Sequence, residues 1–121
     1  MWGDEMKVDK SLLTGSTTML LLKLLEETDM YGYQMIEELS QKSNDTFTLK
    51  AGTLYPLLHQ LEQQGMVTSY DDSADNQRIR KYYSLTKKGR GLLADKKAEW
   101  KAFSSAVNQV LKGGACYGTA L

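Results

Sequence analysis

The 121-residue chain has a formal net charge of zero, an apolar content of 41% and a single cysteine, Cys116. This length and composition indicate one folded domain with its own core and exclude the disordered and collagen-like classes. One cysteine excludes an internal disulfide and a multi-cysteine metal site, and no apolar run approaches the roughly 20 residues that span a bilayer.

The zero net charge hides an uneven distribution along the chain. Residues 1–45 carry a net charge of −5, residues 46–90 carry +3, and the remaining residues carry +2. The weakly basic middle is therefore where a phosphate-binding surface is expected. The acidic first residues lack the basic and apolar regions of a signal peptide, so we expect a cytoplasmic protein with no membrane association.

Apolar spacing predicts two helices in the first third of the chain. The first, residues 12–27, is apolar around most of its circumference, which predicts burial on more than one side. The second, residues 31–42, turns Met35, Ile36 and Leu39 to one side and polar residues to the other. Its start is less well defined because Gly32 weakens the first turn.

A third helix contains the only proline and the only histidine of the chain, Pro56 and His59. Because proline is tolerated in a first turn, Pro56 predicts a helix that begins late, between Ala51 and Thr53, and Gly65 is expected just beyond its end. One stripe of this helix is apolar, at the spacing i, i+3, i+4 and i+7. The stripe consists of Leu54, Leu57, Leu58 and Leu61.

The face opposite this stripe carries no carboxylate. Uncharged donors and acceptors suit base edges, and the free N–H groups of a helix start suit phosphate. An ordinary solvated face is the alternative. With no second histidine or nearby cysteine to share an ion with His59, neither a metal nor a cofactor is expected. The face and its flanks comprise Gly52, Tyr55, Pro56, His59, Gln60 and Gln63.

Beyond Gly65 the apolar period changes to that of strands. Residues 66–70 and 78–85 predict a two-stranded hairpin, with residues 71–77 as its turn. Alternation places Arg78 and Arg80 on one face with Lys81 adjacent, which favours a phosphate clamp. Three acidic residues at the tip would oppose it by repelling a duplex, namely Asp71, Asp72 and Asp75.

The last predicted helix is capped by Thr86 and runs to about Lys112. Apolar residues at heptad spacing form a coiled-coil-like seam that only Lys96 interrupts. At 1.5 Å per residue this helix is ~40 Å long, more than one small domain covers, so a partner chain is favoured over packing on its own domain. Trp100 is open to two interpretations, stacking on an aromatic ligand or ordinary core packing.

The order of three helices and a hairpin is that of a winged helix-turn-helix, in which the third helix enters the DNA major groove. Enzymatic chemistry is the least favoured class, because no glycine-rich phosphate loop, nucleophile motif or suitable carboxylate pair is present. An enzyme is therefore not expected.

Three stretches, MYGYQMIEEL, LKAGTLYPLLHQLEQQGMV and RKYYSLTKKGRGLL, resemble the PadR family of bacterial transcriptional regulators, within a similarity that covers residues 11–111. The resemblance implies a mainly helical fold with a small β-hairpin: a winged helix-turn-helix domain at residues 11–85, then a long C-terminal dimerisation helix at residues 86–112. Flexible segments are expected at residues 1–10 and 113–121. It also implies a homodimer paired through the first and last helices, repression of transcription, and release of DNA by a small aromatic or drug-like molecule.

The resemblance and the residue patterns together define three predicted sites. The residues predicted to bind double-stranded DNA are Tyr31, Tyr33, Lys50, Thr53, Tyr55, Pro56, His59, Gln60, Gln63, Arg78, Arg80 and Lys81. The residues predicted to bind a small aromatic effector are Lys96, Trp100 and Phe103. The residues predicted to pair with a second copy of the chain are Leu12, Leu13, Leu93, Trp100, Phe103, Val107 and Val110. The expected function is a homodimeric repressor that reads an inverted repeat. A small-molecule sensor or protein-interaction module with weak DNA binding is the alternative, suggested by the neutral charge and the acidic hairpin tip.

Overall fold

A computed structural model describes residues 8–73 and 78–113. Most of the two predicted flexible segments, including Cys116, lies outside the described residues. Of these segments the structure describes only residues 8–10 and Gly113, and Lys10 already belongs to the first helix. No helix of the described residues is long and apolar enough to cross a membrane. In chain order the elements are α1 Lys10–Glu27, β1 Met30–Tyr31, α2 Gly32–Lys42, α3 Ala51–Gln63, β2 Val67–Asp72, β3 Arg80–Leu85 and α4 Lys87–Lys112.

Helix α1 differs between its two halves. Asp9 caps its start by accepting a hydrogen bond from the Ser11 N–H at 3.3 Å. The second half has four buried leucines at positions 21, 22, 24 and 25, which confirms burial on more than one side. Leu12, in the first half, is 60% exposed. The second half of α1 is therefore enclosed by the chain more fully than its start.

Helix α3 begins at Ala51, within the predicted range. The expectation that Pro56 lies in the first turn is wrong, because Pro56 is the sixth helical residue and falls in the second turn. Without an N–H, Pro56 cannot bond the carbonyl of Gly52 as an interior residue would. Both residues are exposed, so water can reach that carbonyl.

The sheet has three strands rather than the predicted two, in the order β1-β3-β2 with both pairs antiparallel. The additional strand β1 pairs Met30 with Tyr83 and Tyr31 with Tyr82. The predicted hairpin boundaries also shift. Asp71 and Asp72 belong to β2, not to the turn, and Arg78 precedes β3 instead of lying in it.

One core joins the helices and the sheet. Thr86 caps α4 by accepting from the Gly89 N–H at 2.9 Å and donates to the Met66 carbonyl at 2.9 Å, which seats the helix start against β2. A side chain at residue 89 would collide with that carbonyl, so the close approach requires glycine. The buried core residues are Leu21, Leu22, Leu24, Leu25, Met30, Met35, Leu39, Leu54, Leu58, Leu61, Val67, Tyr83, Leu85 and Leu93. Mainly helical architecture with a small antiparallel sheet confirms the predicted fold class.

Candidate nucleic-acid interface and apolar pocket

Helix α3, which is described in full, presents an outward face free of carboxylates. Its single acid, Glu62, is half-buried at the border and accepts a hydrogen bond from Ser69 Oγ at 2.6 Å. Lys50 is exposed at the N-cap position, beside the free N–H groups of the helix start. The other exposed residues on this face and its flanks are Gly52, Thr53, Tyr55, Pro56, His59, Gln60 and Gln63.

Tyr55 connects α3 to the start of α2. Its phenol lies over Gly32, where a Cβ atom would overlap the phenol oxygen. Its ring also meets the edge of Tyr33, with ring centroids 6.3 Å apart at 71°. Partial burial raises the pKa of the Tyr55 phenol above its ordinary value. The two exposed tyrosines thus form one aromatic surface beside the outward face of α3.

Tyr33 also lines a groove of about 710 Å³ between α2 and the chain that enters β3. The guanidinium carbon of Arg80 lies 4.5 Å from the centroid of the Tyr31 ring, within the range of a cation–π contact. Two predicted tyrosines and two predicted arginines therefore come together here. The full lining is Tyr31, Tyr33, Ile36, Glu37, Ser40, Gln41, Arg78 and Arg80.

The third predicted basic residue of the hairpin, Lys81, does not join this groove. Alternation along β3 puts it on the opposite face from Arg80, and its ammonium nitrogen lies 5.8 Å from the centroid of the Tyr83 ring. The two acids of β2 face these basic residues in the register, Asp71 opposite Lys81 and Asp72 opposite Arg80. The basic charge of the hairpin is thus divided between two faces, and Lys81 and Arg80 each have an acidic residue opposite them in the register.

Sequence reasoning missed a row of three tyrosines across the sheet, one per strand. The Tyr70 and Tyr82 rings stack at 5.8 Å and 15°, and Tyr82 meets the Tyr31 ring edge-on at 5.4 Å and 76°. Tyr70 Oη donates a hydrogen bond to Asp29 Oδ2 at 2.7 Å, which raises the pKa of Tyr70 to about 12. Tyr70 and Tyr82 were visible as alternating strand residues. Tyr31 and Asp29 were not, because β1 was not predicted.

A second candidate site lies between α1 and α4, where a pocket of about 390 Å³ brings together the three predicted ligand residues. Trp100 and Phe103 have ring centroids 6.0 Å apart, and Lys96 Nζ lies 3.7 Å from Glu99 Oε1. An adjoining pocket of about 320 Å³ shares Trp100 and extends to Phe47, in the connection between α2 and α3. Trp100 therefore lines both pockets.

Most of the predicted dimer seam is exposed in the single chain. Trp100 is 48% exposed, Phe103 56%, Val107 37% and Val110 78%, while Leu13 is half-buried. Leu93 is the exception, because at 1% exposure it packs in the core of its own chain and offers no surface to a partner. Its assignment to the seam is wrong. Sequence reasoning also missed Leu111, which is 77% exposed near the end of α4.

Titratable residues do not converge on a metal site in the part of the chain described. No group of three or more His, Cys, Asp or Glu side chains is placed to hold an ion there. Every buried side-chain nitrogen or oxygen in the same residues has a hydrogen-bond partner.

The helix order, the sheet and the exposed face of α3 define a winged-helix transcriptional regulator. Residues 21–95, more than half of the chain, match the model of the transcriptional regulator PadR-like family. The chain belongs to this family, whose members are DNA-binding transcriptional regulators.

Three relatives illustrate the similarity. The transcriptional regulator Rv3488 of Mycobacterium tuberculosis is 31% identical over 72% of this chain and 75% of its own length. A PadR family regulator of Eggerthella lenta has a crystal structure that is 33% identical and superposes with a TM-score of 0.76 over 86% of this chain and 88% of its own. A PadR-like regulator of Bacillus cereus is 29% identical, with a TM-score of 0.77 over 86% and 99%.

Proposed function

We propose that the chain acts as a homodimeric repressor that reads an inverted-repeat operator through α3 and is released from DNA by a small aromatic molecule bound beside Trp100. The main support for DNA binding is that the candidate residues form one continuous surface. It runs from the outward face of α3 through Tyr55 and Tyr33 to the groove that holds Arg80.

Each part of this surface suits a different part of a duplex. The amide and imidazole groups of Gln60, Gln63 and His59 suit base edges in the major groove. Lys50 and the N–H groups at the start of α3 suit a phosphate. In the groove, Arg80 and Arg78 suit the flanking backbone, so we assign them to phosphate binding.

The dimer proposal rests on the exposed apolar residues of α1 and α4. A soluble single chain rarely leaves so many large apolar side chains in water on one side. Their spacing along α4 is that of a two-helix seam. A two-fold dimer would present two copies of α3 to two half-sites on one face of the duplex. The residues we assign to this interface are Leu12, Leu13, Trp100, Phe103, Val107 and Val110, and Leu111 lies at its far end.

Residues 86–112 are accordingly proposed as the dimerisation helix and residues 11–85 as the DNA-binding domain. The effector site is proposed at the same interface. Trp100 offers a flat indole that lines both pockets, and Phe103 extends the aromatic wall. A planar aromatic molecule gains most from such a site, because ring stacking adds to the burial of apolar area.

DNA binding is tested by fluorescence anisotropy with the duplex upstream of the chain's own gene. We expect the wild type to bind this duplex and the double variant Tyr55→Ala with Arg80→Ala to bind about 100-fold more weakly, because each half-site then lacks both the phenol and the guanidinium. Lys101→Ala is the matched control, since it removes an exposed positive charge from α4. Equal affinity of wild type and double variant would refute the residue assignment.

Effector binding is tested by tryptophan fluorescence in a Trp2→Phe background, which leaves Trp100 as the only indole. Titration with planar aromatic molecules is expected to quench this emission and to lower operator affinity in the same concentration range. Aliphatic molecules of equal size serve as controls. A flat response across a broad aromatic panel would count against the Trp100 site.

One observation favours the alternative of a sensor or interaction module with weak DNA binding. Asp71 and Asp72 face Lys81 and Arg80 across the hairpin, so the wing's basic charge is locally compensated. Under this alternative the effector titration succeeds while the operator is bound no more tightly than unrelated DNA.

A further inference from the structure

The row of Tyr70, Tyr82 and Tyr31 runs at right angles to the strands and ends at two charged groups. At one end Asp29, in the connection between α1 and β1, accepts the hydrogen bond from Tyr70. At the other end the Arg80 guanidinium lies on the Tyr31 ring. The row therefore joins the outer strand of the wing to the helical body and to the arginine that faces the groove.

The register explains why the rings touch. Tyr82 stands directly opposite Tyr70 in the β2–β3 pair and directly opposite Tyr31 in the β1–β3 pair. Facing residues on adjacent strands have Cβ atoms about 5 Å apart, so the ring of Tyr82 is held from both sides. Arg80 is two residues before Tyr82 and shares its face, which directs the guanidinium to the same side of the sheet.

We propose that Asp29 and Tyr70 are positioning residues for Arg80: by fixing the tyrosine row they hold the guanidinium where it meets a phosphate of the operator. This inference rests on the DNA-binding function proposed above. An arginine on a flexible wing loses side-chain freedom when it binds a phosphate. An arginine already held on an aromatic ring has given up part of that freedom before DNA arrives.

The hydrogen bond ties the outer end of the row, Tyr70, to the connection between α1 and β1. Tyr70 is 43% exposed and its ring stacks on Tyr82, so the hydrogen bond and this stacking together hold the phenol in place. Because the raised pKa keeps the phenol protonated, the bond persists across the pH range in which DNA binding is measured.

The salt dependence of operator binding tests the proposal, because the slope of log K against log salt falls by about 0.9 for every phosphate that the protein no longer neutralises. Arg80→Ala defines the slope without the guanidinium. We expect Tyr70→Phe to reduce the slope toward the Arg80→Ala value and to weaken binding about threefold at low salt, because it removes the donor and keeps the ring. Thr68→Val, on an exposed residue of the same strand, is the control that leaves the slope unchanged.

Two substitutions at Asp29 separate positioning from direct phosphate binding by Tyr70. Asp29→Asn keeps an acceptor oxygen and is expected to bind with the wild-type slope. Asp29→Leu removes the acceptor and is expected to behave like Tyr70→Phe. If Tyr70 itself bound phosphate, Asp29→Leu would keep the wild-type slope, and the positioning role would be wrong. Thermal unfolding of each variant establishes that the fold is intact.

The two proposals fail in different ways. A wild type that forms no salt-dependent complex with DNA overturns both of them. A wild type that binds, with a lower slope in Arg80→Ala and an unchanged slope in Tyr70→Phe, overturns the positioning role alone.

Discussion

The surface around α3 and the surface around α4 differ in how much of each is held in place by contacts within a single chain. On the α3 side, Tyr55 packs on Gly32 and Arg80 on Tyr31, so the groups proposed to meet DNA are held by the chain itself. On the α4 side, Phe103 and Val110 are 56% and 78% exposed. A completed surface is preorganised for its ligand, whereas an exposed apolar one needs a second molecule. On the function proposed above, DNA reading would therefore be built into each chain, whereas pairing and effector binding would require the second copy.

Removing the apolar character of the α4 surface is expected to give the largest effect. Phe103→Asp would place two carboxylates in the proposed two-fold interface, one from each copy, without partners. We expect the dimer dissociation constant to rise on the order of 1,000-fold. Sedimentation velocity over a concentration series measures this change.

Ser105→Asp is the control for that substitution. Ser105 is exposed on the same helix, about 200° around the axis from Phe103 at 100° per residue. It is expected to leave the association unchanged. Equal behaviour of the two variants would show that the exposed apolar surface does not pair.

The junction between the two sides is tested at Gly89. A Cβ atom there would collide with the Met66 carbonyl and approach Leu85 Cδ1 to 2.6 Å, so the start of α4 has to shift. We expect Gly89→Ala to lower the free energy of unfolding by about 3 kcal/mol, measured by urea denaturation at fixed chain concentration. Gly91→Ala, with open space around its Cβ, is expected to raise it by up to about 1 kcal/mol.

A smaller effect on stability is expected at the contact between Gly32 and Tyr55. Gly32→Ala would displace the Tyr55 phenol, which is the end of a partly exposed side chain and can yield. The expected loss is about 1 kcal/mol of unfolding free energy and about tenfold in operator affinity, with dimerisation unaffected. Gly91→Ala, which meets nothing within 4 Å and lines neither site, serves as the control. A loss of dimerisation in Gly32→Ala would break the distinction between the two sides.

The smallest expected effect concerns the ionisation of the Tyr70 phenol at alkaline pH. Its pKa is raised to about 12 by the hydrogen bond to Asp29, above the ordinary value of 10.0. A raised folded-state pKa means that the bond's contribution to stability is complete below about pH 10 and is lost as the pH rises toward 12. Ultraviolet absorbance of tyrosinate is expected to show one late-ionising phenol that Tyr70→Phe lacks. An identical alkaline titration of the two proteins would contradict the assignment.

Local patterns were sufficient to predict the helices. The leucine stripe of α3 has a strong 3.6-residue period, and Thr86 is a good N-cap, so the start of α3 and both ends of α4 were predicted. The exposed face of α3 followed from the same period. Where the period is long and regular, the neighbours along the chain determine the structure.

The errors concern residues whose structure depends on distant partners. Strand β1 has two residues and no period, and it forms because Tyr82 and Tyr83, some 50 residues later, pair with it. Asp71 and Asp72 have turn-forming composition but are drawn into β2 by pairing with Lys81 and Arg80. Leu93 fits the α4 heptad pattern, and periodicity cannot distinguish a partner's surface from the chain's own core.

The two residues of β1 also determine how a signal can travel. They join β3 directly to the first residue of α2, so the wing and α2 are connected through the sheet. In the proposed dimer, an effector bound beside Trp100 would act on the angle between the two copies at the α4 seam. Trp100 lies ~20 Å from the start of α4, so a rotation of about 5° at Trp100 would move that start by about 2 Å. Such a movement would change the distance between the two copies of α3, and with it the half-site spacing that the dimer fits.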